Sequence, residues 1–251
     1  MEGERSGPVQ PVLIGDTHRL VAADVGVARS RTMTTHTLSE ATSRAVVSAA
    51  GIEVSPYVTA PDAAAAVEAA AELDRPLVAK LCGDSIAHKS ERGLVRLDLA
   101  SDEALERATN ELVAAARPED GEVELLLSTM VAGRRELIAG LTHDPQFGMT
   151  VMLGVGGVLA EAIADVSFRL APITAVDAHE MIDELDTQRL LGPFRGEPAV
   201  DRRAVAAVLV GLSDLAAGDP AIVSVDLNPL VIVDGRPVAV DALVERTGAR
   251  P

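Results

Sequence analysis

Only two lysines stand in a chain that otherwise takes arginine twenty times, and both, Lys80 and Lys89, fall in one stretch, 77–97. An ammonium is a compact point charge on a slim stem, able to approach a phosphate where a planar guanidinium does not fit. Gly83, Asp84, Ser85, Ser90 and Gly93 surround them as turn residues, and successive loop N–H groups can form an anion-binding concavity. The chemistry this suits is phosphate binding by Lys80, Lys89 and Ser90; the alternative is an exposed, solvated basic loop. Residues 83–90 fall short of a P-loop, because His88 stands where the second glycine belongs and the stretch runs into a strand instead of a helix.

A second set of polar groups lies near the C-terminus. Two strand-like runs, 223–233 and 236–241, flank Asp234-Gly235, a dipeptide favoured in two-residue hairpins. With Val233 opposite Arg236, counting outward sets Asn228 against Asp241, and Asp226 shares their face one pleat along. Opposed Cβ atoms in a hairpin are about 4.5–5.5 Å apart, so two oxygen side chains there can share one ion. Mg²⁺ suits such a pair, since it takes few protein oxygens and completes its shell with water and phosphates. The alternative is an Asn–Asp hydrogen bond at a sheet edge. A third set comes from reading 158–169 as one strand: Glu161, Asp165, Ser167 and Arg169 share one face, and Val158, Ala160, Ala162, Ala164, Val166 and Phe168 form the core face. That polar face is either a site lining or a solvated sheet surface.

The elements that must position these groups follow from caps and breakers. Thr37 and Glu40 form a capping box for a helix through Ala50, which Gly51 stops. Thr59 to Asp62 start an alanine-rich helix that Pro76 ends, and Ser101 caps another that Pro118 closes. Strands are expected at 77–79, 95–99, 123–130, 136–141 and 150–153, with glycine turns at 143–148 and 154–157. Thr174 and Asp177 cap a helix to about Leu191, and 201–217 is the last long helix. The fold class is α+β, with two α+β lobes meeting near Gly121. The division expected is a loosely ordered extension at 1–36, an N-terminal lobe at 37–121, a C-terminal lobe at 122–246 and a tail at 247–251.

Composition narrows the partners. A formal charge of −16 opposes nucleic acid and anionic membrane surfaces. Aromatics make up 2% of residues, so Ala, Val, Leu and Ile must fill the cores. The single cysteine, Cys82, allows no intrachain disulfide and reads as a small apolar residue at a strand end. No apolar run is long enough to span a bilayer and no signal-peptide core precedes the chain, so the expected compartment is the reducing cytoplasm.

From about Leu38 to Glu245 the order and spacing of these pieces resemble the ATP-grasp fold, and more narrowly the nucleotide-binding β subunits of NDP-forming acyl-CoA synthetases. Four pieces carry the resemblance. They are Leu38, Ser39 and Glu40 before Gly51-Ile52; Val78, Ala79 and Lys80 with His88, Lys89 and Ser90; Glu136 to Gly140 with Asp144 to Gly148 and the glycines at 154–157; and Asp226 to Leu230 with Val240-Asp241.

The resemblance implies two lobes clamping ATP or ADP with Mg²⁺. Lys80 would then meet the phosphates, the backbone at Ser128, Thr129 and Met130 would hold adenine, and Asn228, Asp241 and Asp226 would take the metal. His88 would relay a phosphoryl group, as imidazole is nucleophilic at neutral pH and its N-phosphoryl bond is labile. Glu136, Glu161 and Arg169 match the family pattern in positioning roles. The implied reaction is acyl-CoA + ADP + phosphate giving acid + CoA + ATP, completed by a CoA-binding α subunit in trans. The alternative is a non-catalytic module that senses nucleotide and regulates a partner. Two departures from the family's loop are Glu91 in place of Asp and Leu94 in place of a second glycine.

Overall fold

The computed structural model describes residues 35–86, 89–157 and 160–248, less the side chains of Glu161 and Ala162. The expectations for residues 1–34, for His88 and for the side chain of Glu161 therefore lie outside the described residues. In chain order the described elements are β1 (Thr35–Thr37), α1 (Glu40–Ala49), β2 (Tyr57–Ala60), α2 (Ala63–Ala69), β3 (Leu77–Cys82), β4 (Val95–Leu99), α3 (Asp102–Ala114), β5 (Glu124–Thr129), β6 (Glu136–Asp144) and β7 (Gly148–Val155). They continue with α4 (Ala160–Ile163), β8 (Val166–Leu170), α5 (Ala175–Asp183), α6 (Gln188–Leu191), α7 (Arg202–Gly218), β9 (Ile222–Val233), β10 (Arg236–Ala239) and β11 (Leu243–Thr247).

The α+β expectation holds as two antiparallel sheets, each with helices on one face. The small sheet runs β2-β5-β3-β4, and the large sheet runs β1-β11-β9-β6-β7-β8 with β10 paired to β9. Alternation along each strand divides its residues between two faces. On the small sheet Leu77, Ala79, Leu81, Leu125 and Leu127 enter a core with Ala66 of α2 and Leu105 and Leu112 of α3. Val78, Lys80, Leu126 and Ser128 are therefore left on the opposite face. On the large sheet Leu137, Ala139, Leu141, Val151, Leu153, Val225 and Leu227 pack against Val47 of α1, Met181 of α5 and Leu209 and Leu212 of α7. That leaves Glu136, Ile138, Gly140, Met152, Gly154, Asp226 and Asn228 facing away from the helices. Leucines carry these cores in place of aromatics, each fully buried side chain contributing about 2 kcal/mol.

The lobes are not divided where composition suggested. Leu38, Val47 and Ile52 lie in the core of the large sheet, and β1 pairs with β11 through Thr35–Thr247 and Thr37–Glu245. Residues 35–54 thus belong to the large lobe; the expected extension supplies Thr35 and His36 to β1, and the expected tail supplies Thr247 to β11. The change to strands near residue 123 marks no boundary either, because β5 is the central strand that bonds both β2 and β3. The small lobe is the stretch from Tyr57 to Thr129.

Three local expectations are corrected. The N-cap of α1 is Ser39, whose hydroxyl accepts from the Thr42 N–H, because Thr37 is already committed to β1. The run read as a strand over 158–169 contains the helical turn α4, and among its described residues the strand is β8, which starts at Val166. Its parity is also reversed: Ser167 is buried while Phe168 is 49% exposed, since Ser167 turns toward α5 and donates to the Met181 carbonyl at 2.9 Å. The helix expected to reach Leu191 breaks after Asp183, where Asp165 accepts from the backbone N–H groups of Asp186 and Thr187 at 2.9 and 2.8 Å.

Candidate functional site

Lys80 is the residue at which the two sheets meet. It stands within β3, not at its end, and is buried. Its Nζ donates to Glu40 Oε1 at 2.6 Å and to Asp241 Oδ2 at 3.2 Å. Glu40 opens α1 in the large lobe, and its side chain is 0% exposed. The same Oε1 accepts from Arg44 Nη2 at 2.9 Å, one turn along the helix, and Oε2 pairs with Lys89 Nζ at 2.8 Å. Arg44 in turn donates to Ser55 Oγ at 2.9 Å. Three cations, Lys80, Lys89 and Arg44, are thus gathered on Glu40 in a chain of strongly negative charge.

Burying such groups is costly singly and tolerable only when paired. Burial by itself would raise the Glu40 carboxyl, but the fields of Lys80, Lys89 and Arg44 outweigh it and hold that carboxyl well below the usual carboxylate range. Burial would likewise lower the Lys89 ammonium, yet Glu40 raises it above its ordinary value. Cys82, two residues beyond Lys80 on the same face, is pushed up to about 12, first by burial and then by Glu40. It is an inert packing residue.

The hairpin count near the C-terminus holds. Asp234 and Gly235 both have positive φ, 48° and 86°, and Arg236 pairs with Val233 through to Ala239 with Leu230. Beyond the hairpin, β11 resumes the same register with Leu243 opposite Asp226. Asn228 and Asp241 lie midway between those two pairs, and the Val240 N–H reaches the Pro229 carbonyl at 3.3 Å. Asp241 is 39% exposed at its side chain, so it is accessible to a ligand in a way that Glu40 is not. These oxygens suit a hard cation such as Mg²⁺. Among the described residues no group of three or more His, Cys, Asp and Glu is disposed to hold a metal, which leaves this carboxylate and amide set as the candidate.

Glu136 faces the same side of the large sheet as Asp226. It is half-buried and raised above its ordinary value by that burial, and the Gly156 N–H donates to its carbonyl at 2.8 Å. A Cβ at Gly156 would stand 3.1 Å from the Glu136 Cβ, so the glycine lets the turn close on this residue. Ser128 lies on the small sheet's open face between Tyr57 and Val78. The N–H groups of Thr129 and Met130 are committed to the carbonyls of Pro56 and Pro76 at 3.1 and 2.9 Å. Those two donors are not available to a base.

Other expected residues are not gathered in. Arg169 pairs with Val151 of the core face and its guanidinium meets Glu184 of α5, on the side of the sheet opposite Asp226. Ser90 is exposed, its carbonyl closing a turn with the Gly93 N–H at 3.1 Å. Leu94, which departs from a family glycine, is 1% exposed and packs in the small core. It therefore does not intrude on the loop's polar side. A cleft of about 460 Å³ beside Ser39 and Cys82 is lined by Asp84, Asp120, Glu122 and Glu124, and four acids there disfavour phosphate.

Glu40 and Arg44 are the residues that sequence reasoning missed. Their signal was present: Glu40, Ser43, Arg44 and Val47 form the buried stripe of α1, at the i, i+3, i+4, i+7 spacing normally held by apolar side chains. Charged residues in a core stripe need partners, and two lysines elsewhere were available.

A family model described as an ATP-grasp domain matches residues 29–245. Subunit beta of an ADP-forming acetate–CoA ligase I from Pyrococcus furiosus is 36% identical over 208 residues, covering 82% of this chain and 90% of that subunit. The ADP-forming acetate–CoA ligase I of Archaeoglobus fulgidus is 39% identical over 199 residues, or 78% of this chain and 29% of that longer protein. Among solved structures, the dinucleotide-forming acetyl-coenzyme A synthetase 1 of Ca. Korarchaeum cryptofilum, with coenzyme A and Mg-AMPPCP, matches with a TM-score of 0.71 and 35% identity. That match spans 82% of this chain and 91% of the other. The chain belongs to the ATP-grasp family, alongside the β subunits of ADP-forming acetate–CoA ligases.

Proposed function

We propose that this chain is the nucleotide-binding part of an ADP-forming acyl-CoA ligase, moving a phosphoryl group between an acyl phosphate and ADP through His88. The observation that carries the reading is the approach of Lys80, from the small sheet, to Asp241, from the large sheet. A cationic donor and a solvent-accessible oxygen ligand are thereby set on either side of one space. Phosphoryl transfer asks a protein chiefly for positioning and charge neutralisation, and these groups supply both.

In this reading Lys80 binds nucleotide phosphate, and Asp241, Asn228 and Asp226 would hold Mg²⁺, which when bound neutralises charge on the phosphate oxygens. Lys89 keeps the loop that carries His88 and Ser90 against the lysine site, while Glu136 orients the transferred group beside the glycine turn. Ser128, Val78 and Leu126 are buried on the same face of the small sheet as Lys80, and the base would lie toward that face. Arg169 contributes by bracing β8 to α5. The Korarchaeum relative, described with coenzyme A, Mg-AMPPCP and a phosphohistidine segment pointing towards its nucleotide site, supports a phosphohistidine relay in this family, and His88 is our choice for a relay residue in this chain. The chain spans 29% of the Archaeoglobus protein, and relatives named subunit beta support a separate CoA-binding α subunit as partner. Among the described residues no helix is long and apolar enough to cross a membrane.

The test is phosphoryl labelling. Incubated with γ-labelled ATP and Mg²⁺, the chain is expected to take up acid-labile, base-stable label that is lost in His88→Asn. Saturable nucleotide binding without label, in the presence of the α partner, would replace this reading with that of a nucleotide sensor.

A further inference from the structure

We infer that Glu40 is a positioning residue for the phosphate site, the fixed partner that keeps Lys80 and Lys89 aimed at an incoming polyphosphate. The inference rests on the reading of Lys80 as a phosphate ligand and goes beyond it, because Glu40 itself touches no substrate.

The geometry separates two carboxylates that share one lysine. Asp241 meets Lys80 at 3.2 Å with its side chain 39% exposed, whereas Glu40 meets it at 2.6 Å with none of its side chain exposed. A ligand arriving from solvent can displace the partly exposed Asp241 from Lys80 but has no path to displace Glu40. Glu40 also spends its second oxygen on Lys89, so one carboxylate spaces the two ammonium groups. Arg44 fixes that carboxylate through the shared Oε1, with Nε at 3.1 Å and Nη2 at 2.9 Å. The guanidinium is itself stacked 5.3 Å from the Tyr57 ring centroid. Because Glu40 sits on α1 of the large lobe and the lysines belong to the small lobe, the same contacts pin one lobe to the other at the lysine cluster. Without Glu40, Lys80, Lys89 and Arg44 would stand together without the carboxylate they share, and mutual repulsion would drive the lysines apart.

Both lysines of the chain belong to this cluster, so label is read at Lys80 and Lys89 by peptide mapping, apart from the α-amino group that the reagent also modifies. Folded wild type, Glu40→Gln and Glu40→Asp are compared by trinitrobenzenesulfonate labelling of the lysines and by calorimetric titration with Mg²⁺-ADP, with circular dichroism reporting the fold. In wild type both lysines are expected to label at least tenfold slower than in the denatured chain. Glu40→Gln is expected to lose that protection and to bind Mg²⁺-ADP at least tenfold more weakly, and Glu40→Asp to restore part of both. A folded Glu40→Gln that keeps its lysines protected, or binds nucleotide as tightly as wild type or tighter, overturns the inference. If Glu40→Gln does not fold, wild-type lysines that label as fast as in the denatured chain still overturn it, and a folded Glu40→Asp with looser lysines and weaker nucleotide binding supports it. Failure of wild type to bind nucleotide would sink the functional reading instead, and the labelling rates would stand apart from that result.

Discussion

The ammonium of Lys80 lies 3.2 Å from the carboxylate of Asp241, which is 161 positions further along the chain. That pair crosses from the small sheet to the large one. It couples a candidate phosphate ligand to a candidate metal ligand, and the consequences reach well beyond the pair.

The hairpin that places Asp241 depends on Gly235. Its φ is +86°, and a Cβ there would stand 2.6 Å from the Ala199 carbonyl oxygen. Gly235→Ala is expected to destabilise the fold by about 1–3 kcal/mol, read from urea unfolding midpoints. An unchanged midpoint would mean that the turn has another conformation open to it.

Arg135 is a buried guanidinium that donates to the carbonyls of Leu190, Gly192 and Pro198 and to Glu197 at 3.0 Å. It ties the loop after α6 to the start of β6, next to Glu136. Arg135→Ala leaves three carbonyls without that donor and should cost about 3 kcal/mol, measured by denaturant unfolding. A loss below about 0.5 kcal/mol would put Arg135 among ordinary surface pairs.

Acid should loosen the lysine loop through Asp120. Arg92, three residues beyond Lys89, donates to both Asp120 oxygens at 2.6 and 2.9 Å, and mainly for that reason the Asp120 carboxyl falls from 3.8 to about 2. A depressed folded pKa means that the unfolded chain binds the proton first. The contribution is therefore complete above about 3.8 and is lost as pH falls through about 2. The stability gap between wild type and Asp120→Asn should be constant near neutrality and close within that window; a gap independent of pH would contradict the ion pair.

Cys82 provides a native probe of opening. Buried on β3 with its thiol pushed up to about 12, it should resist Ellman's reagent at neutral pH and react fully once urea unfolds the chain. Rapid reaction of the folded protein would show that β3, and Lys80 with it, opens locally.

Much of this was legible in the sequence, for identifiable reasons. Asp234-Gly235 dictates a two-residue turn, and a turn of known length fixes register, so the opposition of Asn228 and Asp241 followed by counting. The rarity of lysine marked Lys80 and Lys89. Glu40 escaped because an acid at a helix start reads as a cap; its spacing from Ser43, Arg44 and Val47 marks the inward stripe, but no local pattern names its cation partner 40 residues away. The lobe boundary escaped because β1 pairs with β11 across the whole chain, a contact that no local pattern encodes. The strand at 158–169 was misread because alternation of small residues fits a turn of helix as well, and the reversed parity of Ser167 and Phe168 followed from that error.

The most direct test is calorimetric titration of Mg²⁺-ADP into the purified chain and into Lys80→Ala and Asp241→Ala. A charge-assisted contact is worth about 1.5–3 kcal/mol, so each substitution should weaken saturable binding roughly 10- to 150-fold, with Asp241→Ala losing the dependence on Mg²⁺. Binding that is unchanged in both variants would contradict the clamp between Lys80 and Asp241.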